Sequence, residues 1–222
     1  MPPRALISWS SGKDSAWALN DTRNEGALDI VGVLTTVTQP YGRVSMHGVR
    51  ESVLAQQVKR IGLPLFPVYL PAPCSNETYQ ARMAEVLGAL REEGTTHVVF
   101  GDLFLEDVRA YREAQMKAAG MTPVFPLWHR DTAQLAREML AHGLEATITV
   151  VDPRQLDPAF AGRSYDATFL DDLPEGVDPC GERGEFHTVV TDGPMFDSPI
   201  PVAVGDVVER EEFVFADVVL SE

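Results

Sequence analysis

The sequence is poor in cysteine and in positive charge. Two cysteines, Cys74 and Cys180, in 222 residues exclude a disulfide framework and a four-thiolate metal site, and leave a reducing, cytoplasmic setting as the expectation. Eighteen Lys and Arg stand against 33 Asp and Glu, a formal net charge of -15. A polyphosphate backbone meets a repulsive mean field there, and no basic run relieves it, so nucleic acid is not expected as a partner. No segment approaches the roughly 18 uninterrupted apolar residues of a membrane span, and "MPPRALISW" lacks the apolar stretch of a signal peptide, so no membrane is expected either. The five histidines show no metal-ligand spacing, which argues against structural zinc. Internal repeats and low-complexity tracts are also missing.

What is present is an alternation of short apolar runs and helical patterns. Strand-like runs fall at 4–10, 28–38, 63–71, 96–102 and 121–128, and helices at 15–26, 49–61, 76–94, 105–120 and 130–143. Five such strands alternating with helices predict an α/β fold: a five-stranded parallel sheet, Rossmann-like, with helices on both faces. After "ATITVVD" (146–152) the pattern loosens, and "PIPVAVGDVVEREEFVFADVVL" reads as antiparallel strands. We place a soft boundary near residue 130, giving a nucleotide-binding domain over 1–129 and a smaller C-terminal α+β substrate domain over 130–222.

The turn after the first strand, "SSGKDS" (10–15), joins a strand to a helix with small residues. The first amides of a helix have no partner within it and lie at its positive end, so such a turn binds anions, phosphate above all. Ser10, Ser11 and Ser15 add hydroxyls, Gly12 permits close approach, and Lys13 adds a positive charge. A Walker loop also requires glycine five positions before Gly12 and Ser or Thr after Lys13. Ile7 and Asp14 occupy those places. Beside a phosphate cradle, Asp14 is repulsive unless it caps the helix or a cation sits between them.

"SSGKDS" resembles the pyrophosphate loop of the N-type ATP pyrophosphatases, usually Ser-Gly-Gly-x-Asp-Ser, with Ser11 in place of the first glycine. "FGDLFLEDVRAYREAQMKAAGMTPVFPLWHRD" (100–131) and "CGERGEFHTVVTDGPMF" (180–196) look like the two later signatures of the diphthine-ammonia ligase (diphthamide synthase) family within that superfamily. The departure in the third signature is Arg183, where that family often has glycine. The resemblance implies ATP and Mg²⁺ as cofactors. ATP would lie on Ser10, Ser11, Gly12, Lys13, Asp14, Ser15, Gly101 and Asp102, with Asp14 and Asp102 toward the metal. It implies catalytic roles for Lys13, Asp14, Glu182 and Glu185, and substrate contacts for His47, Arg50, Arg109, Glu113, His187 and Thr188. Read from the residues alone, Arg109 with Glu113 is a surface ion pair four apart on a helix, and Glu182 with Glu185 belong to a tight solvated turn. Trp128 reads as packing, and Cys180 as an inert buried thiol.

The activity implied is an ATP-dependent amide ligase, forming a C–N bond. A substrate carboxylate is adenylated with release of pyrophosphate, and ammonia displaces AMP. The acceptor implied is protein-bound diphthine or a small carboxylic acid. Two other readings stay open, an ATP pyrophosphatase acting on a small metabolite and an ATP-binding module without turnover; a homodimer is also left open.

Overall fold

The computed structural model describes residues 1–210 and 212–221. Its first sheet is built from β1 (Arg4–Ser8), β2 (Asp29–Thr38), β3 (Arg43–Val44), β4 (Leu65–Leu70), β5 (His97–Val99) and β6 (Thr122–Val124). Five of these run parallel in the order β4-β2-β1-β5-β6, and two-residue β3 lies antiparallel on the far end of β2. The expected five-stranded parallel sheet is present, and β3 is the addition. Because the chain winds outward from β1 to β4 and then returns to β5 and β6, the strand order reverses between β1 and β5. Ligands bind beyond the carboxyl ends of strands at such a reversal.

The burial of β1 shows why its sequence is a continuous apolar run instead of an alternation. Ala5 and Ile7 enter one core and Leu6 the other, and all three are shut off from water. Helices α3 (Asn76–Glu92) and α4 (Glu106–Ala119) cover the Leu6 face through Met83, Leu87 and Met116. Helices α1 (Lys13–Glu25), α2 (Glu51–Ile61) and α5 (Thr132–Ala141) cover the other face. Three of the helices end on a glycine in the left-handed region, Gly26, Gly62 and Gly120, as their sequences suggest.

The second sheet is antiparallel, in the order β8-β7-β10-β9, from β7 (Glu145–Val151), β8 (Phe186–Asp192), β9 (Val202–Arg210) and β10 (Phe213–Leu220). The short helix α6 (Ala167–Asp172) lies in the connection between β7 and β8. One core runs through both sheets: Trp9, Trp17 and Leu54 belong to the same buried cluster as Leu135, Phe169, Val189 and Val218. No described helix is long and apolar enough to cross a membrane.

Candidate active site

Gly12 caps α1 without a side chain of its own to offer, so the serines and the second sheet complete the turn. The Ser15 hydroxyl donates to the Gly12 carbonyl at 2.9 Å and lies 3.1 Å from the Ser10 hydroxyl, which accepts from the Gly12 amide at 3.3 Å. Ser11 has a left-handed φ of +70°, which explains why related loops carry glycine there. Its carbonyl accepts from the Val190 amide at 2.9 Å and from Gln57 Nε2 at 3.1 Å, while its buried hydroxyl has no partner. Gln57, fully buried, also donates to the Val190 carbonyl and accepts from Trp9 Nε1. It clamps β1, α2 and β8 together, and nothing in its helical sequence context signals that role.

Two of the expected ligands are used to build the turn. The Lys13 ammonium donates to both Asp14 carboxylate oxygens, at 3.0 and 2.9 Å, and to the Cys180 carbonyl. It also lies over the Tyr165 and Phe186 rings, at 5.5 and 5.6 Å. Only 2% of Lys13 is exposed, so it does not reach the open face of the turn as the sequence suggests. Burial opposes its charge most strongly of any one cause, but the charge and hydrogen bond of Asp14 together with Cys180 and Asp178 hold the lysine above its usual value. Thr188, expected to meet substrate, accepts from the Lys13 backbone amide at 3.1 Å and so caps α1 from another sheet.

The second signature packs directly on the first. A Cβ on Gly101 would stand 2.7 Å from the Asp14 carbonyl carbon and 2.8 Å from the Ser15 nitrogen, so only glycine fits. Asp102 Oδ2 is buried without a hydrogen bond, 3.7 Å from Arg112 Nε, itself unpartnered, and burial pushes the Asp102 carboxyl upward. Arg112 stacks on Phe100 at 5.2 Å and lines the cleft described below.

The third signature closes on both. Glu182 Oε1 accepts from the Leu103 and Phe104 amides at 2.8 and 3.3 Å. Burial lifts its pKa to about 7 against those hydrogen bonds, with the Asp14 and Asp102 charges adding to the rise. Glu185, 2% exposed, accepts from the Asp178 amide at 3.0 Å and the Arg183 amide at 2.9 Å. Both carboxylates accept from backbone amides of the turns they join, Glu182 through Oε1 and Glu185 through both oxygens. Burial raises the Cys180 thiol, in keeping with its reading as inert.

Arg109 and Glu113 also differ from the roles implied for them. They form an ion pair of 2.8 Å, and the guanidinium sits 4.6 Å over Trp128 and 4.9 Å over Phe125, away from the cleft. Arg50 is bound through two nitrogens to Asp217, which Arg43 also holds at 2.9 Å, and the arginines push the Asp217 carboxyl down to about 2. This triad ties the connection carrying His47 to β10.

A cleft of about 1580 Å³ opens beyond the carboxyl ends of β1, β2 and β4, with β9 and β10 as its opposite wall. Among the residues singled out in the sequence, Ser10, His47, Arg50 and His187 line it. Ser11, Gly12 and Lys13 lie under β8 and His47; a Cβ on Gly12 would be 3.2 Å from the Thr188 carbonyl and 3.3 Å from the His47 ring. The His47 and His187 rings pack together with centroids 4.4 Å apart and planes tilted by 39°. Among the described residues, no three His, Cys, Asp or Glu side chains gather into a metal cage. Asp217 and Arg43, cleft residues that the sequence reading passed over, sit in strands β10 and β3 with no motif around them.

Residues 131–218 match the family model described as the diphthamide synthase C-terminal domain. The chain is 31% identical over 140 residues to the diphthine–ammonia ligase of Homo sapiens, covering 60% of this chain and 52% of the relative. It is 30% identical over 158 residues to the diphthine–ammonia ligase of Bos taurus, covering 68% of this chain and 58% of the relative. The chain thus spans about half the length of these curated relatives. Three signatures stand in order and pack against one another at a single sheet edge, and over these stretches the chain is similar to the diphthine–ammonia ligases.

Proposed function

We propose that the chain is an ATP-dependent ligase that activates a carboxylate as its adenylate, releases pyrophosphate, and joins ammonia to the acyl group with loss of AMP. The observation that carries this reading is the convergence at the β1–β5 reversal: Gly101 against the backbone of Asp14 and Ser15, Glu182 on the 103–104 amides, and Thr188 on the Lys13 amide. The cleft beside it has room for a nucleotide and an acceptor together.

The residues present fit a polyphosphate. The Ser10 hydroxyl faces the cleft, and the buried Ser11 hydroxyl beside the head of α1 has no other partner. Asp14 and Asp102 would hold Mg²⁺, whose coordination is normally completed by phosphate oxygens and water and needs no protein cage. Bound there, the metal would offset the charge on the departing pyrophosphate. Residues 1–129 would then carry the nucleotide and 130–222 the acceptor, for which the relatives' names suggest diphthine.

The test is product analysis with ATP, Mg²⁺, ammonium and diphthine-bearing elongation factor 2. AMP and pyrophosphate, formed in step with amide, are expected. Release of ADP and orthophosphate rules the reading out. Nucleotide binding without AMP under any acceptor favours the second reading, a binding module, to which the sequestered Lys13 lends support.

A further inference from the structure

At the inner end of the cleft the expected cations Lys13 and Arg50 are engaged by groups of the protein itself. Lys13 is turned onto Asp14 and the Cys180 carbonyl, and Arg43 and Arg50 are committed to Asp217. What stands beside Ser10 is a close, tilted pair of imidazoles, His47 from the connection between β3 and α2 and His187 from β8. The His47 ring packs against the head of α1, 3.3 Å from where a Cβ on Gly12 would stand. Its Nδ1 is buried and unpartnered, as is the Ser11 hydroxyl, and among the described residues no carboxylate forms a salt bridge with either ring. Two buried polar groups without partners at a helix N-terminus are what a site for an anion leaves open.

We propose that the His47–His187 pair is the cationic element of the nucleotide site: an anionic ligand entering at Ser10 draws a proton onto the pair, which then donates to the ligand's oxygens. This rests on the cleft being the nucleotide site. In the free protein both rings are neutral at pH 7. Burial and the Lys13 charge push His187 down to about 4, and burial, His187 and Lys13 push His47 well below the usual value. A phosphate charge a few ångströms away reverses the balance, because it favours the protonated ring. The close pairing limits the two rings to one proton, since two charged rings would repel. The other charged groups near the pair and along the cleft are Lys13 on α1, Arg43 and Arg50 paired with Asp217 of β10, Asp107 and Arg112 of α4, and Asp206 and Arg210 of β9.

The sign follows from linkage. Binding takes up a proton wherever the pH lies above the free pKa and below that of the complex, so affinity weakens as pH rises through neutrality. Calorimetry of ATP binding at pH 7.5, in buffers of different ionisation enthalpy, reads the proton count directly, with inorganic pyrophosphate as a second probe. The intact chain should take up about one proton more per ATP than the double variant His47→Gln/His187→Gln, which should bind about tenfold more weakly. Imidazole NMR of the unaltered chain, in which a ring resonance moves toward its protonated shift on adding ATP, guards against a folding defect in the variant. ATP binding with equal proton uptake in both proteins, or with unmoved imidazole resonances, overturns the assignment and leaves the ligase reading standing. Failure of the intact chain to bind ATP overturns both.

Discussion

Gly101 has no left-handed φ to explain it, so its importance lies in the missing Cβ. The contact it would make, 2.7 Å from the Asp14 carbonyl carbon, is with helix backbone that cannot rotate away. Gly101→Ala should therefore cost about 1–3 kcal/mol, as overpacking does. Gly88, inside α3 with open space where its Cβ would be, supplies the contrast. Gly88→Ala should stabilise by about 0.5–1 kcal/mol through helix propensity. Urea midpoints measured on the two variants check both signs, and equal effects would mean that the close approach at Gly101 is not maintained. The resemblance pointed to Gly101, but its physical reason is a neighbour far away in the chain. The same distance hid the fate of Lys13. The letters show a lysine in a phosphate loop, and the aromatic rings that capture it come from elsewhere in the fold, whereas Glu185 is held by amides of its own turn.

At the scale of elements, the helices were readable because each carries an apolar face and most stop on glycine. The parallel strands were readable because they are buried on both sides. The strand ends were less so: the apolar runs at 96–102 and 121–128 shorten to three-residue β5 and β6, since beyond Val99 and Val124 the chain turns out to form the site. What the sequence does not display is how β8 meets the head of α1. Thr188 replaces a local cap there, accepting from the Lys13 amide within a fully buried contact. Thr188→Val keeps the volume and removes the acceptor, and should cost about 1 kcal/mol, up to 2 for an unsatisfied buried amide. Thr188→Ser should cost less than half as much. Amide hydrogen exchange in the first turn of α1 separates this from general loosening: exchange should accelerate at Lys13 and Asp14 in the valine variant and stay slow in the serine one. Uniform acceleration along α1 would contradict the capping role.

Over the whole molecule, the proposed division into a nucleotide part and an acceptor part does not carry over to the core. Trp9 packs edge-on to Phe196, 6.3 Å away, and Trp17 packs against His142 at 5.8 Å, so the two tryptophans nearest the first strand lean on residues from beyond residue 130. Both are 2% exposed within the cluster that also holds Leu135, Met139, Val189 and Val190. Removing the second sheet would uncover that surface, at a cost of about 25 cal/mol for each Å² of apolar area returned to water. The two sheets should therefore unfold as one unit. In urea, tryptophan fluorescence, which reports the join between the sheets, should follow the same transition as far-ultraviolet circular dichroism, which reports both sheets and all helices. A chain cut to residues 1–129 should show red-shifted emission and no cooperative transition. Two separated transitions in the full chain, or a well-folded 1–129, would mean that the shared core contributes little and that the sheets are thermodynamically independent.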